Sequence, residues 1–184
     1  MAVTGGIAAY KTCHVVSELV QHGAEVTVAM TESAMRMVGP STFQALSGRA
    51  VLTSLWSAEY AYDPQHIRLT READVFVIAP ATANIIGKLA NGICDDLVST
   101  IAVAADCPMI LAPAMNDRMW AHPAVRVNAA RLVECGYALI GPAEGWLACR
   151  TQGPGRMVEP EEILAAVVKQ LLSAPPRSGG RASS

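Results

Sequence analysis

Charge is scarce in this chain of 184 residues: 14 Lys+Arg and 16 Asp+Glu make 16%, against about 25% in an ordinary soluble domain. A net charge of -2 excludes the broad basic surface that phosphate backbones require, so no nucleic acid is expected as a partner. Long hydrophobic runs are missing too. No stretch of roughly 18 residues lacks a polar or charged interruption, and Thr4, Gly5 and Gly6 stand where a signal peptide would be apolar. The expectation is a cytoplasmic chain with no membrane partner. The five cysteines (Cys13, Cys94, Cys107, Cys135, Cys149) include no Cys-x-x-Cys pair and no His at ligand spacing. Neither a disulfide framework nor a metal site is expected. The G-x-G-x-x-G fingerprint and the P-loop lysine motif are both absent, which makes a mononucleotide a better candidate ligand than NAD or ATP. With aromatics at 5% and hydrophobic residues at 52%, the chain is not disordered. Its low charge has two readings, an Ala- and Val-rich core or a surface buried in an oligomer.

What is present is alternation. Residues 24–30 (AEVTVAM), 73–79 (ADVFVIA), 108–112 (PMILA) and 137–140 (YALI) are short, nearly continuous apolar runs, the pattern of parallel strands covered on both faces. The first strand looks clipped, since only residues 1–3 precede the Gly-Gly turn: either the edge is short or the sequence starts late. Helical spacing follows at 7–22, ending at Gly23, and at 82–89, 95–105, 122–135 and 160–172. Strands alternating with helices predict an α/β fold, a doubly wound parallel sheet in one domain over residues 1–172. Residues 173–184 (SAPPRSGGRASS) have too little apolar content to pack and read as a flexible tail.

In such a sheet, ligands bind beyond the carboxyl ends of the strands. Four turns lie there: Thr4-Gly5-Gly6-Ile7-Ala8, Thr31-Glu32-Ser33-Ala34, Pro80-Ala81-Thr82-Ala83-Asn84 and Pro113-Ala114-Met115-Asn116. The two glycines let backbone N–H groups approach an anion at a helix start, while Thr31, Ser33 and Thr82 read either as ligand donors or as helix N-caps. His66, in a loop entering a helix, is the side chain best suited to move a proton near neutral pH. Asn116 with Met115, Met119 and Trp120 could grip a small polar group against an apolar wall. Residues 145–157, with Cys149 near their centre, form a long Gly-rich loop of the kind that is either a mobile lid or disordered.

Taken together, His66-Ile67, the turn Pro80-Ala81-Thr82-Ala83-Asn84 and the string Pro113-Ala114-Met115-Asn116-Asp117-Arg118-Met119-Trp120 resemble the active-site motifs of the homo-oligomeric flavin-containing cysteine decarboxylases. The resemblance runs in order along nearly the whole chain. It implies a flavodoxin-like or Rossmann-like flavoprotein that binds FMN through Gly5, Gly6, Ile7, Thr31, Ser33, Pro80, Ala81, Thr82 and Asn84. It also implies His66 as acid/base, Asn116 on the substrate carboxylate, and Met119, Trp120 and Arg156 as further substrate contacts. Family members form homotrimers or homododecamers with the site at a subunit interface.

Two branches of that family differ in substrate. One decarboxylates phosphopantothenoylcysteine in coenzyme A biosynthesis, returning electrons to the enethiol with help from a clamp cysteine. The other oxidatively decarboxylates the C-terminal cysteine of a ribosomally synthesised peptide and releases the enethiol. Cys149 resembles the clamp cysteine of the first branch, although Arg150 stands where that clamp has glycine. The chain's single-domain length points to the second branch, because bacterial coenzyme A enzymes usually carry a further synthetase domain. On that ground the expected function is peptide cysteine decarboxylation, with the phosphopantothenoylcysteine reaction as the alternative. A third class, flavin-binding regulatory subunits, tends to carry long acidic extensions, which this sequence lacks.

Overall fold

Five short apolar runs pair side by side into a parallel sheet of order β2-β1-β3-β4-β5, in a computed structural model that describes residues 1–56 and 70–173. The strands are β1 (Ala2–Val3), β2 (Ala29–Met30), β3 (Phe76–Ala81), β4 (Met109–Pro113) and β5 (Ala138–Leu139). Helices α1 (Ala9–Gln21), α2 (Glu32–Met35), α3 (Pro40–Ser47), α4 (Ala83–Ala90) and α5 (Leu97–Ala104) are interleaved with them. The chain continues through α6 (Asp117–Ala121), α7 (Pro123–Glu134) and α8 (Pro160–Ser173). A separate antiparallel hairpin pairs β6 (Ala143–Trp146) with β7 (Gln152–Arg156).

Period-two alternation explains why helices cover both faces. Phe76, Ile78 and Leu111 pack with Ile85 and Ile86 of α4, Val98 and Ile101 of α5 and Leu132 of α7. Their neighbours Val77, Ala79 and Ile110 face the opposite layer, with Val15 of α1 and Ile163 and Val167 of α8. Each large aliphatic side chain fully buried this way contributes about 1.5–3 kcal/mol. Thr12, itself fully buried on α1, donates its hydroxyl to the Ala79 carbonyl at 2.8 Å and fastens that helix to β3.

Several elements differ from the expectation. The strand expected at 24–30 pairs only at Ala29 and Met30, although Val26 and Val28 are buried. Their side chains join the core beside Phe43 while the backbone before Ala29 forms no ladder. β1 is interior rather than an edge, lying between β2 and β3. Residues 32–47 contain two helices that the sequence did not announce, of which α3 starts on Pro40 and stops at Gly48 (φ 66°). The long loop expected at 145–157 is largely the β6–β7 hairpin. Glycines 145, 153 and 155 and Pro154 carry little strand propensity and hide it. The loop holding His66 and the tail from residue 174 lie outside the described residues, and α8 extends to Ser173. Among the described residues no helix is long and apolar enough to cross a membrane.

Replacing Thr12 by Val keeps the volume but removes the donor to a buried carbonyl. The expected destabilisation is about 1–3 kcal/mol, read as a lower urea midpoint with an unchanged slope.

Candidate active site

The ends of β1, β2, β3 and β4 open onto one cavity of about 1010 Å³, at the upper end of the roughly 300–1,000 Å³ usual for small-molecule sites. β1 leads into the Gly5-Gly6 turn, which can approach its neighbour only because it lacks side chains. A Cβ on Gly5 would lie 2.3 Å from Ser33 Cβ. Thr4 sits buried beneath, its hydroxyl donating to Pro80 O at 2.6 Å and accepting from Thr82 N–H at 3.2 Å. The hydroxyls of Thr31 and Thr82 cap α2 and α4, accepting from the N–H groups of Ala34 and Ile85. Capping leaves the first N–H groups of α4, at Ala83 and Asn84, without intrahelical partners, and both residues line the cavity. An eight-residue helix start, a side-chain-free turn and the methionines 115 and 119 fit the phosphate and ring ends of the implied FMN.

The hairpin closes the other side. Met115 N–H donates to Gly155 O at 2.9 Å, and a Cβ on Gly155 (φ 149°) would sit 2.3 Å from Met115 O. This contact lays β7 against the segment carrying Asn116 and delivers Cys149, in the hairpin turn, to the cavity. Asn116 has two tasks. Its Oδ1 accepts from Arg118 N–H at 2.8 Å and caps α6, while its Nδ2 donates to Cys149 Sγ at 3.1 Å. Thr151 Oγ1 lies 3.0 Å from the same sulfur. The Thr151 contact first, and the Asn116 amide after it, hold the thiol below its ordinary pKa. Arg150 adopts φ 63°, the left-handed conformation that favours glycine.

Of the residues singled out from sequence, Gly5, Gly6, Ile7, Thr31, Ser33, Thr82, Asn84, Asn116, Met119, Cys149 and Arg156 line this one cavity. Pro80 and Ala81 stand behind it, Pro80 under Gly6 and Ala81 buried at the end of β3. Trp120 does not face the cavity. It is 9% exposed, packs in the core and lies under the Arg126 guanidinium, 4.9 Å from the ring centroid. In the short helix α6, Met119 and Trp120 point to different sides, so the adjacent Met takes the cavity and Trp the core.

Sequence reasoning missed two lysines. Lys11, a basic residue of α1 one turn past the glycines, lines the cavity and bonds Glu159 at 2.8 Å. Lys88 lines it as well, 2.6 Å from both Asp95 and Asp96. Burial works to lower the Lys88 pKa, but hydrogen bonds to Asp95 and Asp96 outweigh it and the ammonium is held above its ordinary value. Burial likewise works to raise Asp96, yet the Lys88 bond and the Ser99 N–H that caps α5 keep its carboxyl below the usual range. A sequence signal existed in both cases: lone basic residues on otherwise apolar helix segments.

The Flavoprotein family model matches residues 1–172. The bifunctional coenzyme A biosynthesis protein CoaBC of Bacillus subtilis is 50% identical over 169 residues, 92% of this chain and 42% of that protein. The chain thus spans about two fifths of this curated relative. Among solved structures, a mutant PPC decarboxylase complexed with pantothenoylaminoethenethiol superposes with a TM-score of 0.82 at 35% identity, covering 94% of this chain and 96% of that one. The FMN-dependent cysteine decarboxylase SpaF gives 0.80 at 34%, covering 93% of each.

A lowered thiol pKa means more thiolate at neutral pH. Alkylation of Cys149 by iodoacetamide, followed by peptide mass spectrometry, should therefore inflect at lower pH than a free cysteine peptide, and Thr151→Val should move the inflection upward.

Proposed function

The chain belongs to the Flavoprotein family, and from that premise we propose that it decarboxylates phosphopantothenoylcysteine with bound FMN. The observation that carries this reading is the Cys149 thiol, held in the cavity by Asn116 at the tip of the hairpin. Its support is a relative named for coenzyme A biosynthesis and a similar structure named as a PPC decarboxylase. The expectation of a peptide substrate rested on length, and a chain covering 42% of its relative draws no support from length.

Bound FMN would take two electrons from the substrate thiol and later return them. The residues do the rest. Gly5, Gly6, Ile7, Thr31, Ser33, Thr82 and Asn84 hold the cofactor, with Pro80 and Ala81 shaping the turn beneath it. Asn116 carries two N–H donors on Nδ2, so one can stay on Cys149 Sγ while the other meets the substrate carboxylate. Oxidising the thiol to a thioaldehyde puts an electron sink beside the Cα–carboxylate bond, and carbon dioxide leaves to give an enethiol. Cys149 Sγ then supplies the proton that accompanies reduction of the enethiol, a task suited to a thiol whose pKa lies nearer neutrality. Met119 walls the substrate and Arg156 pairs with an anion on it. His66 is assigned the acid/base role at the substrate thiol.

The protein assembles as a homotrimer or homododecamer, which would cover apolar side chains such as Ile7 and Tyr10, 63% and 62% exposed beside the cavity. Light scattering should give a mass of three or twelve copies, and a monomer would remove the assembly from the reading.

Mass spectrometry of two incubations tests the reaction, one with phosphopantothenoylcysteine and one with a peptide ending in Cys. The expected product is phosphopantothenoylcysteine lighter by carbon dioxide alone. A peptide lighter by carbon dioxide and two hydrogens would instead identify a peptide decarboxylase. Cys149→Ser should convert the first product into one lacking two further hydrogens, because serine is too weak an acid to finish the reduction.

A further inference from the structure

Glu159 forms no wall of the cavity, yet it holds two of the cations that do. Its Oε2 accepts from Lys11 Nζ at 2.8 Å, and its Oε1 accepts from Arg156 Nη2. Lys11 comes from α1 and is only 13% exposed, while Arg156 comes from β7 of the hairpin. One carboxylate thus joins the floor of the cavity to its roof. Its own backbone is pinned at the start of α8, where Glu159 O accepts the N–H of Glu162 at 3.0 Å and Glu159 N–H donates to Glu162 Oε1 at 3.1 Å. Two cations against one carboxylate leave a single positive charge toward the cavity. The other lining cation, Lys88, faces two carboxylates, Asp95 and Asp96, so that cluster is net negative and offers no free positive charge. An anion entering the cavity therefore meets its uncompensated charge at Lys11 and Arg156, and both side chains are long enough to be elsewhere without an anchor.

We propose that Glu159 is a positioning residue that presents Lys11 and Arg156 together to an oxyanion of the substrate, either its carboxylate or its phosphate. The inference rests on the reading of phosphopantothenoylcysteine as substrate. Glu159 does not touch the substrate; it fixes the spacing and direction of two donors that do.

The test compares wild type, Glu159→Gln and Glu159→Asp on phosphopantothenoylcysteine and on pantothenoylcysteine, which lacks the phosphate. Gln keeps the length and removes the charge; Asp keeps the charge on a shorter stem. KM for phosphopantothenoylcysteine should rise roughly tenfold or more in Glu159→Gln, as for loss of a charge-assisted contact. The change in kcat should be smaller, FMN content should be unchanged, and Asp should recover part of the loss. A KM penalty confined to the phosphorylated substrate identifies the oxyanion as phosphate, and an equal penalty on both identifies it as carboxylate. Unchanged KM on both substrates, or an Asp variant no better than Gln, overturns the inference. Calorimetric binding of phosphopantothenoylcysteine to each protein supplies a readout that does not need turnover. If wild type neither binds nor converts that substrate, the proposed function fails and this inference falls with it. If wild type does and the variants match it, only the inference fails.

Discussion

Thr4 and Thr12 place buried hydroxyls against the carbonyls of Pro80 and Ala79; the first closes the seam between β1 and β3, and the second ties α1 onto β3. At that seam the chain diverges: β1 sends its connection toward β2 on one side and β3 sends its own toward β4 on the other. Loops leaving in opposite directions cannot cover the gap between them, and the crevice at the carboxyl ends is the result. Each hydroxyl satisfies a main-chain oxygen that would otherwise be stranded in the core. The cavity therefore depends on two small polar side chains, of which Thr4 also lines it and Thr12 does not.

A second constraint joins the hairpin to this frame. Gly155 approaches Met115 O so closely that any side chain would collide, and the same contact brings Cys149 within reach of Asn116. Asn116 spends one oxygen on capping α6 and keeps its amide for the cavity, so a residue needed for local helix geometry is also chemically available. The division works because capping the helix uses an acceptor and leaves the amide donors free.

The few charges of the chain are organised rather than scattered. Lys88 is outweighed by two aspartates at the start of α5, where Asp96 also caps the helix. Lys11 and Arg156 share one glutamate and remain positive as a group. A net positive group thus faces the cavity of a protein whose overall charge is -2, since local geometry and not net charge sets the field inside a cleft. The low charge content, which read either as an Ala- and Val-rich core or as a surface buried in an oligomer, is accompanied by exposed apolar residues on α1 and α7, including Tyr10, Val127 and Val133.

The sequence by itself determined the layered fold, because a parallel strand buried on both faces must be apolar at every position and its helices must carry apolar stripes. Helix limits came within a residue or two at 83–90, 97–104, 123–134 and 160–173, where Thr82, Asp96 and His122 cap as their chemistry requires. The four turns were legible for the same reason, since Gly, Thr and Asn after an apolar run have few other uses. The tertiary structure alone decided which residues of a motif face the cavity: Met119 and Trp120 are neighbours in sequence, yet one lines the cavity and the other fills the core. It also decided the hairpin, whose strands lack propensity and exist because β7 packs its glycines onto Met115 and Asp117. Likewise the link from Lys11 to Glu159 spans 148 residues of chain. Local patterns report local preferences, and a contact between distant segments has no periodicity to betray it.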